Sequence, residues 1–150
     1  MATLPPAAKA LVDRPVIAAL TTLGPTGTPH TTPVWIDREG DLLLVNTAQG
    51  RVKARNVERD PRVSVCIVDP EDPMNTLAAE GTVTEVTTVG ADALIDALSL
   101  KYTGNATFDA RLPGQVRLTL RIRCDRVLLP WGSRARTGDR SSRDGPSDVS

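Results

Sequence analysis

The segment Val45-Asn46-Thr47-Ala48-Gln49-Gly50-Arg51-Val52-Lys53-Ala54-Arg55-Asn56 concentrates most of the chain's chemical potential. An apolar strand run, Leu42 to Val45, ends in Asn46 and Thr47. A glycine follows, and a helical stretch then opens with Arg51 and Lys53. Such a junction offers free backbone N–H groups, a hydroxyl and two cations to one small volume, which is what a phosphate needs. On spacing alone a plainer reading competes and is favoured: a capped helix with a solvated basic face, the usual place for Arg and Lys.

Other chemistry is sparse. The single histidine, His30, follows a turn, has no partner motif and reads as an exposed structural residue. No Ser-His-Asp signature, Cys/His metal cluster or Walker loop is present, and no catalytic residue is assigned. If the chain is an enzyme, a bound cofactor carries the chemistry. Cys66 and Cys124 lie far apart in apolar strand patterns and read as buried structural thiols.

Eighteen basic residues balance eighteen acidic ones, so nothing draws the chain as a whole to nucleic acid or an anionic membrane. Aromatic residues are few, which also argues against a stacking platform for single strands. No apolar run approaches the ~20 residues that span a bilayer. The start, with Pro5 and Pro6, lacks a signal-peptide pattern, and a cytoplasmic location is expected.

The elements that position the segment are mostly strands. A short helix is expected over Ala7–Asp13 and a strand over Val16–Leu23. The turn Gly24-Pro25-Thr26-Gly27 leads to a strand over Thr28–Ile36, which Pro29 and Pro33 mark as an edge. Asp37 to Asp41 reads as a hairpin turn into a third strand, Leu42–Thr47. These three strands would form a meander. A helix over Arg51–Arg59 ends at Asp60-Pro61. Strands follow over Arg62–Asp69 and Thr76–Val86, the second with a bulge or close backbone approach at Gly81. Gly90–Tyr102 has helical spacing of Leu94, Ile95, Leu98 and Tyr102. Gln115–Cys124 alternates apolar and polar residues, so Arg117, Arg121 and Arg123 read as a solvated face that could otherwise reach a ligand. Val127 to Trp131 could extend the sheet. Residues 1–131 form one domain, and the polar segment Gly132–Ser150 reads as a disordered tail. The fold class is mainly β: a small barrel of six strands with two or three short helices.

In order and spacing, several segments resemble one family. They are Ala19-Leu20-Thr21-Thr22, Gly27 to Trp35, Asn46-Thr47, Gly50 to Asn56, Asp60-Pro61-Arg62-Val63, Leu77 to Val83 and Asp125-Arg126-Val127. Together they resemble the pyridoxamine 5′-phosphate oxidase-like split β-barrel superfamily, and within it the branch that uses the deazaflavin coenzyme F420. The resemblance turns the reading of the opening segment from a solvated helix to a phosphate site. It implies that Arg51 and Lys53 grip the cofactor phosphate with Thr47 as hydroxyl donor. It places Pro33, Val34 and Trp35 along the cofactor ring and Thr21 and Thr22 in the same pocket. It implies a homodimer with cofactor sites between subunits, where residues near Asn75 to Leu77 complete the partner's site.

Two departures separate the chain from vitamin B6 oxidases. Val52 intervenes between Arg51 and Lys53, where those enzymes carry adjacent Arg-Lys. The end of the fold reads Leu128-Leu129-Pro130-Trp131-Gly132 in place of an Arg-Leu-x-Pro type motif. The resemblance therefore implies an F420-dependent oxidoreductase passing a hydride to an electron-poor small molecule, of the enone, quinone or tetrapyrrole class. An FMN-dependent oxidoreductase and a non-catalytic flavin or deazaflavin carrier are the alternatives.

Overall fold

The computed structural model describes residues 2–128 and a two-residue strand at 134–135. Three helices accompany the strands: α1 (Pro6–Asp13), α2 (Val52–Arg59) and α3 (Ala91–Thr103). The strands are β1 (Ala18–Leu23), β2 (Pro29–Val34), β3 (Asp37–Glu39), β4 (Leu42–Ala48), β5 (Arg62–Asp69), β6 (Asp72–Thr87), β7 (Arg117–Leu128) and β8 (Arg134–Ala135). The hydrogen-bonded order is β2-β1-β5-β6-β7-β4-β3, antiparallel throughout, with β8 paired to β7.

This order closes a barrel. β2 and β3 end the path at opposite edges, yet only Trp35 and Ile36 separate them in sequence. Three residue steps reach at most roughly 11 Å, so the sheet must curl until its edges meet. Among the described residues no ladder bond joins β2 to β3, and the barrel is split there. Leu20, Val45, Val65, Ile67, Leu77, Leu120 and Ile122 fill the interior, and Leu11 and Val12 of α1 join the same core. The end of α3 stitches the seam. Lys101 Nζ donates to the carbonyls of Val12 (2.6 Å) and Ile36 (2.7 Å). The Tyr102 hydroxyl donates to the Val16 carbonyl (2.7 Å) and accepts from the Ile36 N–H (3.1 Å).

The expected strands and helices are present, most within two residues of their expected ends; β6 begins four residues early and β7 ends four residues late. Three expectations are corrected. The first three long strands form no meander, because β4 pairs with β3 and β7. The prolines of β2 withhold ladder donors, while β4 is apolar on both faces and takes two neighbours. The segment read as a turn, Asp37–Glu39, is itself a short polar edge strand, so the path holds seven strands rather than six. Cys66 is exposed: Val63, Val65 and Ile67 take the inward positions of β5, and Cys66 falls on the opposite parity. Cys124 is buried, and burial pushes its thiol up to about 11. The expected disordered tail lies outside the described residues, apart from Arg134–Ala135.

Candidate functional site

A cleft of about 330 Å³ opens between the end of β2, the β4–α2 junction, α3 and the start of β7. Its size suits part of a small-molecule ligand. The local fold builds its polar wall. β4 ends at Ala48, and the chain turns through Gly50 at φ +88°, a backbone that favours glycine. α2 then begins behind Arg51, and no side chain caps its first turn. The first N–H groups of a helix have no partners within it and carry partial positive charge. α2 is fastened to β1: the Asn56 amide donates to Thr22 Oγ1 (3.0 Å), and Arg59 donates to the Leu23 carbonyl (3.3 Å).

Three cations, Arg51, Lys53 and Arg117, line the cleft with Asn46 and Thr47. No carboxylate is among the described lining residues. Burial lowers the Lys53 ammonium from its ordinary value, and the charges of Arg51 and Arg117 lower it further. Burial also lowers Arg117, followed by Arg51. The wall thus holds uncompensated positive charge partly out of water, which an anion would relieve. Thr47 is 2% exposed, and its hydroxyl finds no hydrogen-bond partner among the described residues. A buried polar atom left unpaired costs roughly 1–3 kcal/mol, so it marks a place for a polar ligand atom.

The opposite wall is apolar. Pro33, Val34 and Trp35 come from the end of β2, and Ile95, Leu98 and Phe108 from α3 and the loop after it. Trp35 stacks on Tyr102 (centroids 5.4 Å apart, planes at 9°) and meets the edge of Phe108 (5.9 Å, 82°). Three of the four aromatic residues of the chain therefore gather at this wall. Tyr102→Phe is expected to keep the stack but leave the Val16 carbonyl and Ile36 N–H unpaired. The expected cost is about 1–3 kcal/mol of stability, read by denaturant unfolding, with cofactor affinity little changed.

Six sequence-expected residues meet in this cleft: Pro33, Val34, Trp35, Thr47, Arg51 and Lys53. Four stand apart from it. Thr22 is buried beneath α2 as the acceptor for Asn56. Thr21 faces outward and shares a hydroxyl contact with Thr31 (2.8 Å). The Asn75 amide donates to Asp69 (3.1 Å). The Leu77 side chain is fully buried in the core of its own chain. Sequence reasoning gave Asn46 and Phe108 no part in the site and favoured a solvated role for Arg117 over contact with a ligand, yet all three line the cleft. Arg117 lies on the face expected to be solvated, but it is 7% exposed because α3 and Phe108 cover the start of β7. Arg121 and Arg123 keep to the surface expectation, paired with Glu39 (3.0 Å) and Asp125 (2.8 Å). Among the described residues no group of three His, Cys, Asp or Glu could hold a metal, and no helix is long and apolar enough to cross a membrane.

A seven-strand antiparallel path split at one seam, with a cleft beside the strand-to-helix junction, defines a split β-barrel protein. Residues 4–128 match the pyridoxamine 5′-phosphate oxidase family, and the chain belongs to it. Among solved structures it is similar to an F420 reductase (TM-score 0.74, 24% identity, covering 83% of this chain and 98% of that one). It is also similar to the conserved hypothetical protein Rv2991 of Mycobacterium tuberculosis (TM-score 0.64, 24% identity, 84% of each chain). A third likeness is to general stress protein 26 of Bacillus anthracis (TM-score 0.62, 17% identity, 85% of this chain and 94% of that one). At these identities the likeness carries the fold. No curated protein matches the chain significantly.

Proposed function

We propose that the cleft binds a phosphate-bearing cofactor with a flavin-like ring, coenzyme F420 in preference to FMN, and that the chain is an F420-dependent oxidoreductase acting on electron-poor small molecules. The observation that carries this reading is that Arg51, Lys53 and Arg117 line one cleft with Thr47, whose buried hydroxyl is unpartnered among the described residues, and with an apolar wall. The fold likeness to an F420 reductase favours the deazaflavin over FMN.

Arg51, Lys53, Thr47 and the first turn of α2 would hold the phosphate. Pro33, Val34 and Trp35 would lie along the ring, with Trp35 braced by Tyr102. A reduced deazaflavin held by these residues would supply hydride chemistry at that wall. The protein orients the partners against its apolar wall. No carboxylic acid or histidine lines the cleft among the described residues, so water delivers any proton the product needs. Turnover of reduced F420 against enones, quinones and tetrapyrroles tests the enzyme reading. Binding without turnover of any acceptor leaves a carrier, and turnover with FMN alone leaves the flavin alternative.

The site sits in a homodimer on this reading. The outer face of β2-β1-β5-β6 carries a row of small side chains, Pro33, Ala19, Cys66 and Ala78. One step beyond the ladder of β1 and β5, Ile17 comes beside Val68, each 49% exposed, and Ile17 also lines the cleft. A second copy seated on that face would cover this apolar edge and bound the cleft. Asn75, partly exposed on β6, is then the residue that the family resemblance would assign to the partner's cleft. Sedimentation is expected to give twice the 16.0 kDa chain mass, and a strict monomer that binds cofactor tightly would contradict the shared site.

The depressed Lys53 sets a pH dependence. A phosphate favours the ammonium, so affinity is highest where free Lys53 is protonated and falls as pH rises through its lowered value. Without ligand the sign is the reverse: the folded chain releases this proton before the unfolded chain does, so stability from this group rises with pH over that window. Affinity is expected to decline as pH rises through the lowered Lys53 range, and Lys53→Arg to flatten the decline.

A further inference from the structure

We infer that Arg117 is a second anion-recognising centre of the cleft, held rigid on the same wall as Arg51 and Lys53, and that it makes the site select a charged ligand over its neutral counterpart. The inference rests on the cofactor reading above and adds to it a residue on a different strand, outside the phosphate-gripping segment.

The side chain is built in rather than merely present. Arg117 is 7% exposed, which rules out a solvated role. Its Nε–H donates to Asn46 Oδ1 (2.8 Å), and one Nη1–H donates to Gln115 Oε1 (3.1 Å). Asn46 is fixed in turn, because its amide donates to the Ala91 carbonyl (2.7 Å) at the start of α3. The guanidinium lies over the Phe108 ring, 5.3 Å from its centroid. Neither hydrogen bond uses Nη2. The acceptors are neutral amides, so the positive charge is oriented but not cancelled. A buried arginine of structural purpose would normally meet a carboxylate. Here the charges it feels most are the like charges of Arg51 and Arg111, ahead of the opposing Asp92, which makes no hydrogen bond to it. Phe108, which Arg117 holds, is itself a cleft residue, and its N–H donates to Asp96 Oδ1 (2.9 Å). The loop carrying it is strapped to α3 by Arg111, paired with Asp92 and Asp96. One cation therefore serves both the polar and the ring-facing walls.

FMN and riboflavin share a ring and differ by a phosphate that carries nearly two charges at neutral pH. That pair isolates the charge term. Wild type, Arg117→Gln and Arg117→Lys are titrated with FMN, riboflavin and F420 by fluorescence, at low and moderate salt, with melting temperatures measured in parallel. Arg117→Gln is expected to weaken FMN and F420 at least tenfold, leave riboflavin within threefold and reduce the salt dependence of FMN binding. Arg117→Lys keeps the charge but not the fork, and an intermediate loss is expected. Equal losses for FMN and riboflavin would show that Arg117 only packs Phe108, and would overturn the inference. So would unchanged FMN affinity in a folded Arg117→Gln, or, should the glutamine variant not fold, equal losses of FMN and riboflavin in Arg117→Lys. Wild type that binds none of the three ligands would instead overturn the cofactor reading, which keeps the two failures distinct.

Discussion

Lys53→Ala is expected to raise the dissociation constants for F420 and FMN ten- to a hundredfold while leaving the fold intact. A hydrogen bond to a charged partner is worth about 1.5–3 kcal/mol, and each 1.4 kcal/mol is a factor of ten. Lys53 stands at the uncapped start of α2, where the helix dipole adds to its attraction for an anion. Its removal withdraws one of three uncompensated cations from the ligand-free cleft. Stability should therefore hold steady or rise slightly, because the ammonium is opposed by burial and by Arg51 and Arg117. Titration by fluorescence quenching reads the first effect, and thermal unfolding reads the second. A variant that binds both cofactors as wild type does would remove Lys53 from the phosphate site. One that binds weakly only because it melts earlier would make it a structural residue.

Gly81→Val is expected to do the opposite: a large loss of stability with the cleft chemistry untouched. Gly81 lies where the register of β6 against β7 shifts. A Cβ there would sit 2.6 Å from the Arg123 carbonyl oxygen and 2.9 Å from Ile122 Cγ2. The first of these is backbone and cannot swing away, so β6 and β7 must separate. Overpacking of this kind costs about 3 kcal/mol. For a domain of this size that lowers Tm by roughly 10 °C. Gly81 lines no part of the cleft, so cofactor affinity measured well below the new Tm should match wild type. A stability loss under about 1 kcal/mol would mean that the strand pair yields more easily than close packing allows.

Local features were legible in the sequence, and long-range ones were not. Thr47, Arg51 and Lys53 could be read because a strand end, a glycine turn and a helix start are adjacent in the chain. Gly81 could be read because a glycine within an apolar strand signals close approach. Pairing partners are another matter. The hairpin turn before β4 is real, but it joins β4 to the short β3, and the long partner β7 begins only at Arg117. Arg117 illustrates the cost. Its alternation in β7 is the pattern of a wet face, and only the packing of α3 and Phe108 over that face turns it inward. Cys66 errs the other way: its apolar neighbours suggest burial, while the parity of β5 turns it outward. The resemblance to split-barrel proteins supplied what periodicity could not, the meeting of the end of β2 with the β4–α2 junction.

The most direct measurement of the central claim, that this cleft is a phosphate-anchored site for a flavin-like cofactor, is a titration of the purified full-length chain with F420, FMN and riboflavin. It is followed by fluorescence and repeated with the Arg51→Ala/Lys53→Ala double variant. Saturable binding is expected in the order F420, then FMN, then riboflavin, with the first two weakened at least a hundredfold in the double variant and riboflavin nearly unchanged. Absence of saturable binding to F420 and FMN, or affinities indifferent to the phosphate and to the loss of both cations, would contradict it.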